Sequence, residues 1–129
     1  MKRMMKAGLL IALIASASAT LAGGRSQIEV FLDKPGRYAE GTLVDARGSS
    51  DSLQRIGCYA YSSNHGACIV TDSTGKTGSC YSVDPGMVQA MRSLDTDSYL
   101  FIVWDANNVC TTVFVEKSST YRPGSISGF

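Results

Sequence analysis

Four cysteines, Cys58, Cys68, Cys80 and Cys110, follow an N-terminus built like an export signal, and no other feature constrains the fold as much. Thiols in an exported chain enter an oxidising compartment and pair. A small domain has only a modest core, so its crosslinks decide which strands lie together. The signal-like segment carries Lys2, Arg3 and Lys6 and then an uncharged run over residues 7–15, which are the n-region and h-region of a secretory signal. Small residues at Ala17, Ser18 and Ala19, and again at Thr20-Leu21-Ala22, place cleavage after Ala19 or, preferably, after Ala22. The apolar run falls short of the ~20 residues of a spanning helix, which disfavours an uncleaved anchor. No cysteine follows either cleavage site, so a lipid-anchored mature N-terminus is disfavoured too.

The expected organisation is therefore a cleaved signal over residues 1–22, one disulfide-bonded β-rich domain over residues 23–117, and a mobile or surface-bound tail over residues 118–129. No transmembrane segment remains after cleavage, and the protein is expected in the periplasm or the extracellular medium. Of the twelve basic residues three leave with the signal, so nine face eleven acidic ones and the net charge becomes −2. Nucleic-acid binding shows as a basic stripe that neutralises phosphates, and neither this balance nor the scatter of Lys and Arg provides one.

Four cysteines allow three pairings. Residues 67–72 and 76–82 read as two strands joined by Ser73-Thr74-Gly75, a loop with glycine where a left-handed conformation is wanted. That register sets Asp72 against Lys76 and Cys68 against Cys80. Cross-strand neighbours are within reach of a disulfide, so Cys68–Cys80 is the expected staple and Cys58–Cys110 follows by elimination. The longer loop would stabilise more, by about 1 kcal/mol in the loop-entropy picture. A thiolate zinc site lacks its C-x2-C pairs and a redox-active thiol lacks C-x-x-C.

Along the domain, Ile28, Val30 and Leu32 alternate with Gln27, Glu29 and Phe31, a strand with one wet face, ended by Pro35-Gly36. A second short strand is expected around residues 42–44, and Gly48-Ser49-Ser50-Asp51 is a loop. Residues 53–61 form a central-strand candidate, with Ile56, Cys58 and Ala60 on one side and Gly57, Tyr59 and Tyr61 on the other. Asp84 as N-cap and Pro85 at the first turn start a helix over residues 85–94 that carries Val88, Met91 and Arg92. Residues 98–104 and 109–116 form a hairpin around Asp105-Ala106-Asn107-Asn108, with Tyr99, Phe101 and Val103 on one face and Leu100, Ile102 and Trp104 on the other. Both faces are apolar, which predicts a hairpin covered on each side, with the helix over one. The fold class is α+β, mainly β: a small antiparallel sheet of five or six strands with one short helix, stapled by two disulfides.

Chemistry is weakly signalled. His65 is the sole histidine and sits in Ser62-Ser63-Asn64-His65-Gly66, ordinary turn chemistry. A hydrolase scheme would need it as acid, with Glu29, Glu40 or Glu116 as base and Arg37, Arg55 or Arg92 for a phosphate; the spacing selects none of them, and no G-x-S-x-G elbow is present. Asp95, Asp97, Asp105, Asn107 and Asn108 read as turn residues and not as calcium ligands, for want of a glycine turn and a distal glutamate. No catalytic residue, metal ligand or cofactor is assigned. Tyrosines are more suggestive: Tyr59, Tyr61, Tyr81 and Tyr99 are the candidate binding surface, while Tyr121 and Trp104 belong to the same aromatic set. The expectation is a non-enzymatic module that recognises a protein or glycan, with inhibitor and envelope-associated roles both fitting. A small secreted hydrolase, such as a nuclease or peptidoglycan-active enzyme, and a self-assembling surface subunit are the alternatives.

Overall fold

The computed structural model describes residues 26–121; the expected signal with its cleavage sites, and the part of the expected tail beyond Tyr121, lie outside the described residues. In chain order the elements are β1 (Phe31–Asp33), β2 (Tyr38–Thr42), α1 (Leu43–Arg47), β3 (Arg55–Ala60), β4 (Gly66–Thr71), β5 (Thr77–Ser82), α2 (Pro85–Arg92), β6 (Tyr99–Trp104) and β7 (Cys110–Glu116), followed by a 3-10 turn, Ser119–Tyr121. The domain is mainly β, as its alternating sequence predicts. Its strands divide into two antiparallel sheets, one ordered β1-β2-β6-β7 and the other β3-β4-β5.

Alternation decides what each sheet buries. In β6, Leu100, Ile102 and Trp104 turn inward while Tyr99, Phe101 and Val103 turn outward; in β4, Gly66, Cys68 and Val70 turn inward. The inner rows of the two sheets meet in one core that includes Leu32, Ala39, Ile56, Val70, Leu100, Ile102 and Trp104. Gly78 on β5 shows how closely they approach: a Cβ there would stand 3.1 Å from Leu32 Cδ1 and 3.2 Å from the Trp104 ring. One side of the interface is sewn by backbone, since Tyr81 N–H donates to the Asn108 carbonyl at 2.9 Å and Tyr81 bridges Val109 in parallel.

Local signals place the turns and helices. Gly75 takes φ +86 and Asp72 N–H donates to the Lys76 carbonyl, the turn and register expected for the β4–β5 hairpin. The Asp84 carboxylate accepts from Met87 N–H at 2.9 Å, Pro85 opens α2, and Val88 and Met91 are buried. Met91 and Val88 press on Gly66, where a side chain would have to displace Met91 Sδ.

Several expectations are corrected. The short strand expected around residues 42–44 lies earlier, as β2 over Tyr38–Thr42, and is followed by a second helix, α1. Thr42 ends the strand and caps the helix, its hydroxyl accepting from Asp45 N–H while bonded to the Asp45 carboxylate. β3 is an edge strand of its sheet and β4 is the central one. The β6–β7 hairpin is not covered on both sides: α2 packs against β3, β4 and β7, and the Tyr99, Phe101 and Val103 face is left half-exposed.

The disulfides are Cys58–Cys68 and Cys80–Cys110, with Cα atoms 4.0 Å and 5.0 Å apart. The predicted pairing is wrong although its register is right. Cys68 does face Cys80, but it faces Cys58 equally, because β4 has a neighbour on each side and the three cysteines form one cross-strand row. A hairpin argument sees only one of those neighbours. Cys80 is then free to reach Cys110 at the start of β7, beside the Tyr81–Val109 bridge.

One bridge therefore lies within a sheet and the other joins the two sheets. Loop entropy assigns about 3 kcal/mol to the first and about 4 kcal/mol to the second. In urea unfolding, Cys80→Ala/Cys110→Ala is expected to lose more stability than Cys58→Ala/Cys68→Ala, and non-reducing peptide mapping is expected to recover Cys58 joined to Cys68. A Cys68–Cys80 peptide, or a reversed order of losses, contradicts this arrangement.

Candidate functional site

The outer face of the four-stranded sheet is built by register. Phe31, Glu40, Phe101 and Phe114 fall in one cross-strand row; Thr42, Tyr99 and Glu116 fall in a second; Asp33, Tyr38, Val103 and Thr112 fall in a third. Directly opposed residues share a face, so aromatic side chains from four strands stand together. Phe31 lies 5.7 Å from Tyr38 between ring centroids and Tyr38 lies 6.1 Å from Phe101, both pairs tilted. Tyr99 meets Phe114 edge-on at 6.3 Å and stacks on Tyr121 at 5.6 Å. Tyr121 itself is buried, brought in by the 3-10 turn and by the hydrogen bond from Ser26 N–H to the Thr120 carbonyl. Phe31 and Phe114 are each 49 % exposed.

Two carboxylates are set into this aromatic layer. The Tyr99 hydroxyl donates to Glu40 and the Tyr121 hydroxyl donates to Glu116 at 3.3 Å. Both phenols are raised above the ordinary tyrosine value, Tyr99 strongly, first by burial and then by the neighbouring glutamates. Each hydroxyl consequently stays a donor to its glutamate.

A second, separate aromatic group lies on the outer face of the three-stranded sheet. Tyr59 and Tyr81 flank Ala67 in one row, and Tyr61 packs edge-on against Tyr59 at 5.6 Å. All three are exposed, beside a shallow depression of about 320 Å³ lined by Arg55, Tyr59 and Ile69. The four candidate tyrosines thus do not form one stripe: Tyr59, Tyr61 and Tyr81 share one face, and Tyr99 lies on the other sheet. Phe31, Tyr38, Phe101 and Phe114 were missed in the sequence as members of a surface. The available signal was the contrast within β6, where aliphatic Leu100 and Ile102 alternate with aromatic Tyr99 and Phe101.

The residues weighed for hydrolysis do not assemble. His65 is exposed in the β3–β4 turn, its Nδ1 tied to the Ser63 carbonyl at 2.9 Å. Arg92 braces that same turn through the Tyr61 carbonyl and Asn64 Oδ1. Glu29 lines a polar depression of about 630 Å³ with Asp45 and Asp51, which neither His65 nor any of the three arginines joins, and there the Asp51 pKa is lowered to about 2 by the Gln54 side chain and by the Leu53 and Gln54 N–H groups. Its charge is used to hold a loop. Asp105 likewise accepts from Asn107 and Val109 N–H, and Asp95 accepts from Ser98 and pairs with Lys117 at 3.2 Å. Among the described residues no group of His, Cys, Asp and Glu side chains is arranged to hold a metal ion.

No protein-family model matches this chain, and comparison with curated proteins and with solved structures finds no match either. Every role therefore rests on the geometry above.

The raised phenols give a pH signature. In the unfolded chain they release protons at the ordinary value of 10.0, whereas the fold keeps them protonated. The stability they contribute is fully present below pH 10 and is lost as the pH rises beyond it. Phenolate absorbance is expected to show two tyrosines ionising after the ordinary range, and Glu40→Gln to bring one of them earlier; all six titrating together would refute the Tyr99–Glu40 and Tyr121–Glu116 pairs.

Proposed function

We propose that this protein is an exported, non-enzymatic binding module of the periplasm or extracellular medium, and that it recognises a protein or glycan partner with the outer face of its four-stranded sheet. One observation carries the reading: a contiguous layer of Phe and Tyr rings, contributed by all four strands, faces outward with Phe31 and Phe114 half exposed. Large contiguous apolar patches are uncommon on the surfaces of monomers and mark interaction sites. Aromatic side chains offer much contact area for few rotatable bonds, so little entropy is lost when a partner covers them. The β6 backbone beneath them is itself paired on both edges, by β2 and β7, which holds the rings in a fixed pattern before binding.

The two disulfides are compatible with an oxidising compartment, in keeping with the signal-like N-terminus. The separation of His65 from the carboxylates supports recognition over hydrolysis, since acid and base must lie within hydrogen-bond reach of one substrate. The exposed Tyr59, Tyr61 and Tyr81 group on the other sheet is drawn from two strands and the turn after β3, whereas the proposed face draws rings from all four of its strands.

The test is capture from a bacterial envelope extract by the mature chain and by Phe31→Ser/Phe114→Ser. Both positions are half exposed, so the variant is expected to keep the native circular dichroism and to lose the partner that the native chain retains. Identical capture by the two, or no capture above a reduced and unfolded control, counts against recognition by this face.

A further inference from the structure

Resting on the reading of this face as a recognition surface, we infer that its occupant is a protein segment bearing Lys or Arg side chains. The charge of the face is one-sided. By register its ionisable acids are Asp33, Glu40 and Glu116, and no Lys or Arg occupies any of the positions that β1, β2, β6 and β7 direct outward. The nearest basic residues in sequence lie elsewhere. Lys34 and Arg37 belong to the β1–β2 turn, and Lys117 is paired with Asp95 at 3.2 Å.

Rings and carboxylates here ask for the same ligand group. An ammonium or guanidinium is attracted to the face of a Phe or Tyr ring within about 6 Å, while its aliphatic stem covers apolar surface. Glu40 and Glu116 each accept one tyrosine hydroxyl, yet a carboxylate has about four acceptor sites. The remaining lone pairs suit the donors of a cationic side chain, and the phenols, fixed as donors, cannot supply a counter-charge. Anionic polymers meet the opposite situation, because three carboxylates and no cation repel phosphate, sulfate and uronate alike. A neutral glycan would stack on the rings and its hydroxyls would donate to Glu40 and Glu116, but it carries no cation to complement the one-sided charge.

Fluorescence anisotropy with three labelled probes decides the matter: a short peptide alternating Lys and Thr, its Glu and Thr counterpart, and a neutral β-linked hexasaccharide. The mature chain is expected to bind the Lys peptide alone. Glu40→Gln/Glu116→Gln, which keeps both tyrosine hydrogen bonds while removing two charges, is expected to weaken binding about tenfold, and added salt to weaken it further. Phe31→Ser/Phe114→Ser should do the same with little change in the salt dependence. Lys-peptide binding that neither variant alters, or no binding of that peptide, overturns the inference. Preference for the hexasaccharide, lost in the Phe variant, overturns only the partner's chemistry and leaves the face as a recognition surface. A dimer of the native chain that dissociates in the Phe variant makes a second copy the occupant and overturns it as well. If all three probes fail and envelope capture also fails, the recognition reading itself falls.

Discussion

The disulfide between Cys80 and Cys110 is the one crosslink between the two sheets, and the rest of the architecture depends on the seam it secures. Beside it Tyr81 and Asn108 share a backbone hydrogen bond, and below it Trp104 lies against Gly78. Sheets of three and four strands each have one face to bury, and here each buries it against the other. Once Leu100, Ile102 and Trp104 face the seam, alternation leaves Tyr99, Phe101 and Val103 no choice but the opposite side. No element among the described residues crosses that side except the short turn that carries Tyr121.

The outer rings therefore answer to two demands. Aromatic cross-strand contacts stabilise a sheet by up to about 1 kcal/mol per pair, which gives the fold some return on an apolar face that water still reaches. The rings are spread across all four strands, however, and the outermost ones, Phe31 and Phe114, are also the most exposed. Stabilisation alone would be served as well by Thr and Val at those rims. Glu40 and Glu116 sharpen the pattern, because each accepts a hydrogen bond from a phenol of the same aromatic set whose proton the fold retains.

Much of the fold was legible because β periodicity is local. The inward sets Val30 and Leu32, Ile56 and Cys58, and Leu100, Ile102 and Trp104 follow from alternation, and the Ser73-Thr74-Gly75 turn fixes the Cys68 and Cys80 register. Strand order was not legible. Whether β4 is central or at an edge depends on β3 folding back on it, and that non-local choice decided the disulfides. α1 escaped notice for a different reason: Leu43-Val44-Asp45-Ala46-Arg47 is too short to show a helical period, and its cap, Thr42, is at once the last residue of a strand. The surface was half legible. Tyr99 was singled out, but the face it shares with Phe101 and Val103 was expected to be covered, because an apolar residue on the second face of a hairpin looks the same whether a layer covers it or not.

The central claim is that the outer face of the four-stranded sheet is open in the free protein. Hydroxyl-radical footprinting of the protein tests this most directly, because oxidation of a ring reports its access to water. The account predicts rapid labelling of Phe31 and Phe114, slower labelling of Tyr99 and Phe101, and protection of Leu100, Ile102 and Trp104. Protection of Phe31 and Phe114 to the level of Trp104 in the isolated monomer would contradict it, since the face would then already be covered by the chain itself.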